Sequence, residues 1–222
     1  MDGKSSDENC RTMLESVGQY RNGQYADAYE TAQSLIAKGE VPASYLEPCA
    51  WIIYRYARQK AGSISQDEME ICAGFFMHTL PKEASLVRSV FLAQTIEYSK
   101  KNPEFGFLEF CVAFDLSRLR DDDFKGRTVQ MESGQSVCYE SLAERLATRI
   151  YNVMKTQRSA DYACRLLPFF TLVKENVLSI SSSVCISHFC ITGKVMQRRR
   201  EPCLQKYSAR LRNGTSGKTW HT

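Results

Sequence analysis

Few residues of this chain have types and spacings that could do chemistry. The nine cysteines stand at 10, 49, 72, 111, 138, 164, 185, 190 and 203, and no two have the C-x-x-C spacing that grips zinc. His188 lies between Cys185 and Cys190. Three neighbouring donors still need a fourth from elsewhere to close a tetrahedron. Asp121-Asp122-Asp123 offers hard oxygens for Mg²⁺ or Ca²⁺, but such ions need several further oxygen ligands and none is evident. The plainer reading of that run is a solvated turn or the start of a helix. Gly214-Thr215-Ser216-Gly217-Lys218-Thr219 ends like a phosphate-binding loop, yet Arg212 occupies the position that pattern reserves for glycine. Asn213-Gly214-Thr215 is a glycosylation triplet, which matters only in a secreted protein. His78, His188 and His221 have no serine or cysteine at a spacing suggestive of a nucleophile and its base. The sequence therefore predicts no catalytic, cofactor or metal site, and a protein that is not an enzyme.

Charge is the other chemical signal. From Lys194 onward there are eight Lys or Arg against one acid, Glu201, a net of +7; with +4 overall, residues 1–193 carry −3. Arg198, Arg199, Arg200, Lys206, Arg210 and Arg212 could neutralise phosphates. Tyr207 and Trp220 between them could stack on bases. A nucleic-acid partner bound by this tail is thus one reading, and a solvated tail is the plain one.

The elements that would position any site read as helices. The chain has 222 residues, 43% hydrophobic and 24% charged, enough to bury a core without metals or disulfides. It has no apolar run of about 18 residues to span a membrane. Residues 1–8 are polar and lack the apolar region of a signal peptide. A disordered N-terminus and a cytoplasmic location are expected, with the cysteines as thiols buried in apolar stretches.

Helical periodicity begins after Asp7-Glu8-Asn9, with Cys10, Met13, Leu14 and Val17 as its inner face. A turn at Arg21-Asn22-Gly23-Gln24 leads to a second helix over Tyr25–Lys38, with an inner stripe of Ala28, Ala32, Leu35 and Ile36 and a stop at Gly39. A third helix follows Pro42, with Pro48 near its start or kinking it, and Gly62 ends it. Ser65-Gln66-Asp67-Glu68 and Ser141-Leu142-Ala143-Glu144 are capping boxes that open two further helices, the first running to Thr79. Ser85–Lys100 reads as a helix along Leu86, Val90, Ala93 and Ile96 or Glu97. Asn102-Pro103 reads as the cap and first turn of the next, which carries Phe105, Phe107, Leu108, Phe110 and Cys111. Lys125–Val137 breaks the pattern, and its alternation around a Ser133-Gly134 turn predicts a loop or small hairpin. A final helix spans Ala160 to about Asn176, through Leu166, Leu167, Phe169, Phe170 and Val173, with Pro168 inside it. After Glu175 acids all but vanish and the periodicity stops. Residues 177–222 read as a poorly ordered basic arm or as sequence foreign to the fold.

Asn22-Gly23-Gln24-Tyr25-Ala26-Asp27-Ala28-Tyr29-Glu30-Thr31-Ala32 resembles the hinge and second helix of a tetratricopeptide repeat, a unit of about 34 residues. Ala28 and Ala32 stand where two helices touch, and Pro42 near where that repeat ends; the preceding helix lacks the family's Trp and Leu-Gly pair. Over residues 12–175 the segments Ser85–Leu92, Phe105–Leu108, Leu119–Phe124 and Ser141–Arg145 resemble a bacterial tetratricopeptide-like family associated with conflict systems and mobile elements. Its members often add a small cold-shock-type barrel, and no such barrel is recognisable in these residues. The resemblance implies an adaptor-like role. The sequence thus predicts an all-α fold over residues 9–176, a solenoid or bundle of stacked antiparallel helix pairs. It predicts a non-catalytic scaffold that binds a protein or peptide partner between them.

Overall fold

A computed structural model describes residues 3–131, 136–157 and 160–177, with side chains placed over 6–131, 136–156 and 161–177. Helix α1 (Gly3–Arg21) and α2 (Tyr25–Lys38) form a hairpin. Then come α3 (Leu46–Gln59), α4 (Gln66–Gly74), α5 (Leu86–Lys101), α6 (Phe107–Phe114), α7 (Leu142–Gln157) and α8 (Ala160–Val177). A five-residue π segment, Phe75–Thr79, extends α4. Strands β1 (Arg127–Gln130) and β2 (Ser136–Tyr139) form the expected hairpin, pairing antiparallel with Val129 opposite Val137. The described chain is predominantly helical, and no described helix is long and apolar enough to cross a membrane.

The first hairpin shows why the sequence folds this way. Ala28 and Ala32 are fully buried, and their small side chains let α1 approach α2 closely. The approach is tight enough for the buried Ser16 Oγ to donate to the Ala28 carbonyl at 2.6 Å. Asn9 near one end of α1 donates to the Glu40 carbonyl beyond the far end of α2, as antiparallel pairing requires. Ser16 takes the inward position expected for Leu14, which is 63% exposed. Helix α1 also begins at Gly3, earlier than the polar cluster at 7–9 suggests. Extending an existing helix adds a hydrogen bond per residue without a new nucleus, so polar residues are readily drawn in.

Succeeding helices alternate between two neighbourhoods. Helix α1 contacts α3, α3 contacts α5, and α5 contacts α7; α2 contacts α4, the π segment contacts α6, and α6 contacts α8. Helix α5 is buried on several sides. Its core residues are Val87, Phe91, Leu92, Thr95, Ile96 and Tyr98. The stripe expected through Leu86 is rotated, leaving Leu86 51% exposed. Asn102 closes α5 instead of opening α6, its side chain donating to the Tyr98 carbonyl at 3.0 Å. Phe105 then packs edge-on against Tyr98, and α6 starts only at Phe107.

Arg88 is 2% exposed and joins three segments. Its guanidinium donates to the Phe76 carbonyl in the π segment and to the Phe114 carbonyl at the end of α6, and lies 3.9 Å from the Phe114 ring centroid. Carbonyls at helix ends carry partial negative charge, which suits a cation. Burial pulls the Arg88 pKa down to about 10, opposed by nearby Asp115, so it stays charged at neutral pH. Helix α7 is tied to α5 by Arg145, 2.8 Å from Glu97, and by Arg149, which donates to Ser99 Oγ at 2.9 Å.

Candidate functional site

Helices α2 and α4 bound an open groove of about 560 Å³. Its α2 side is the helix end Ile36, Ala37, Lys38 and Gly39. Gly39 adopts φ 69°, and Glu40 N–H bonds back to the Leu35 carbonyl at 2.9 Å. This is a left-handed stop, which glycine makes without a Cβ penalty, and Gly39 itself lines the groove.

The opposite side is set by how α4 begins. Ser65 Oγ accepts from Glu68 N–H at 3.2 Å, and the Glu68 carboxylate accepts from Ser65 N–H at 2.9 Å. The same carboxylate accepts from the Tyr56 hydroxyl and lies 3.3 Å from Lys60 Nζ. The Tyr56 hydroxyl and then the Ser65 backbone hold the Glu68 carboxyl at about 2, well below its ordinary value. One acid thus fixes the start of α4 to α3. From that start Asp67, Glu70, Ile71, Gly74 and, within the π turn, His78 succeed one another along the groove. The π turn closes with Leu80 N–H on the Phe75 carbonyl at 2.9 Å. Both Phe75 and Phe76 are buried, while His78 stays exposed.

The groove therefore gathers four titratable groups, Lys38, Asp67, Glu70 and His78, beside apolar Ile36, Ile71 and Phe75. Glu70 accepts from Gln66 Nε2 at 2.8 Å. None of the four is hydrogen-bonded or ion-paired to another among the described residues. Among these described groups no base is hydrogen-bonded to a nucleophile. The nearest thiols, Cys49 and Cys72, are buried. Burial pushes Cys72 up to about 12 and holds Cys49 well above its ordinary range. Cys72 donates to the Tyr29 hydroxyl, whose ring stacks on Tyr56 at 3.8 Å.

The structure accounts for several residues singled out in the sequence. Asp123 is buried and accepts from Arg120 N–H at 3.0 Å and Ser89 Oγ at 2.7 Å. Asp122 pairs with Arg120 and Lys125 at 3.0 and 2.9 Å. The acidic run thus starts a short 3-10 turn, and among the described residues no three His, Cys, Asp or Glu are grouped to hold a metal. Cys49, Cys72 and Cys111 are buried, as expected, whereas Cys138 and Cys164 are exposed. Arg198, Arg199, Arg200, Lys206, Arg210 and Arg212 lie outside the described residues, as do His188, Cys185, Cys190 and the 214–219 glycine segment.

No family model, curated protein or solved structure matches this chain.

The groove was not singled out in the sequence, although a signal for it was present. Asp67, Glu70, Gly74 and His78 recur at helical spacing, with a glycine inside a helix that its neighbours do not explain. Which helix would lie opposite that face is a tertiary fact.

Proposed function

We propose that this chain is a non-catalytic, cytoplasmic scaffold or adaptor that holds a protein or peptide partner in the groove between α2 and α4. The observation that carries this reading is the groove itself. Buried Ile36 and Phe75 and exposed Lys38, Asp67, Glu70 and His78 line it, and nothing in the described chain fills it. A tetratricopeptide-like repeat stack is the architecture that goes with it. Two features support that architecture: α1, α3, α5 and α7 touch in succession, as do α2 with α4 and α6 with α8, and Ala28 and Ala32 are buried where the first pair touches. Repeat stacks characteristically present such surfaces between successive units.

The test compares capture from native cells by the full chain and by its Ile71→Lys variant, which places a charge in the groove. The expected result is a partner retained by the first and lost by the second. No partner above background, or the same set from both, overturns the proposal.

A second reading rests on the basic cluster from Lys194 onward, with net +7. It assigns nucleic-acid binding to the tail, driven by counterion release and so steeply salt-dependent.

A further inference from the structure

Gly74 is at odds with its surroundings. It ends α4 and leads directly into the π segment, with ordinary right-handed helical angles, φ −54° and ψ −42°. No positive φ calls for glycine. No neighbour calls for it either, since a Cβ placed there would meet nothing within 4 Å. Glycine inside a helix is less favourable than alanine, so the position gives up helix stability without any gain in this chain's own packing. It lies in the groove, one helical turn from Ile71, and next to a π turn, a distortion frequent at functional sites.

The charges beside it are uneven. Asp67 and Glu70 bring two carboxylates along α4, and neither has a cation within ion-pair distance in the described chain, while Lys38 is the single ammonium opposite. The part of the chain before residue 194 is itself net acidic.

We propose that the groove takes a basic peptide segment of a partner protein, seating one apolar side chain over Gly74 with a Lys or Arg against Asp67 and Glu70. This rests on the docking-groove reading and adds the partner's chemistry to it. The missing Cβ leaves room for the partner's side chain to reach the helix backbone. The two carboxylates select a cation beside it by complementary charge, which favours the right partner and disfavours acidic ones.

The probe is a displayed library of random dodecapeptides, selected on the full-length chain. An enriched peptide is then labelled and titrated by fluorescence anisotropy. The expected peptides share an apolar residue with Lys or Arg within about four positions, the reach of one helical turn. Gly74→Leu should raise the Kd at least about tenfold, because its side chain occupies the seat. Its urea midpoint should stay at or above that of the wild type, since the position is open and leucine favours helix. Asp67→Asn with Glu70→Gln should raise the Kd about fivefold at low salt and less at high salt. Suppose the selected peptides are acidic or uncharged, lost with Gly74→Leu but indifferent to the amide pair. The partner chemistry is then wrong and the groove reading stands. Peptides that bind Gly74→Leu as tightly as wild type, or no enrichment at all, overturn both.

Discussion

Glu68→Gln is the perturbation that most directly tests how the groove wall is built. The Glu68 carboxylate accepts from Tyr56, from Ser65 at its backbone and hydroxyl, and from Lys60, and it titrates at about 2 instead of 4.5. A folded-state pKa below the unfolded value contributes stability that is complete above about pH 4.5 and is lost as the pH falls through about 2. The full shift would be worth about 3 kcal/mol. A quarter of the side chain is exposed, so solvent screening leaves about 1–2 kcal/mol. Glutamine keeps the size but loses the charge. It also turns an amide toward groups that donate. Urea unfolding of both proteins at pH 7, 4.5 and 2.5 measures the difference, and the other carboxylates cancel between them. The variant should be less stable by about 1–2 kcal/mol at pH 7, and the gap should close towards pH 2. A gap that is absent at pH 7, or equally large at every pH, refutes the assignment of this acid as the anchor of α4.

Three other outcomes follow from the packing and the sequence. Arg88→Leu removes two charge-assisted bonds to helix-end carbonyls and leaves both acceptors buried; the relieved desolvation of the cation offsets part of the loss. Chemical denaturation should show a loss of about 2–4 kcal/mol, with Arg88→Lys in between, and a wild-type midpoint would contradict the role given to this cation. Ala28→Leu and Ala32→Leu should each lower stability by about 1–3 kcal/mol through overpacking between α1 and α2, while the exposed Gln33→Leu should not; thermal melts distinguish them. If the basic tail binds nucleic acid, mixed-sequence duplex DNA should bind with a log–log salt slope as steep as about −7, and removing residues 194–222 should abolish binding.

The sequence by itself determined the local structure wherever the physics is local. The capping boxes at Ser65 and Ser141 are read from residues three apart, because each closes within one helical turn. The Gly39 stop and the bounds of α2 follow from one glycine and one apolar stripe. The hairpin follows from a break in helical periodicity.

Where a helix is buried on several sides, its pattern no longer says which side faces what. The buried face of α5 is therefore rotated from the stripe through Leu86, and nothing local marks Arg88 as buried, since its partners are carbonyls 12 and 26 residues away. Asn102-Pro103 fits the start of a helix as well as the end of one, and the docking of Phe105 on Tyr98 decided between them. The groove is tertiary in the same sense. Asp67, Glu70 and Gly74 on α4 and His78 in the π segment recur at helical spacing in the sequence, but they line a groove only because α2, ended by Gly39, lies beside them. Side-chain spacing along a helix is fixed by the chain, whereas the neighbour across a gap is fixed by the packing of every element between them.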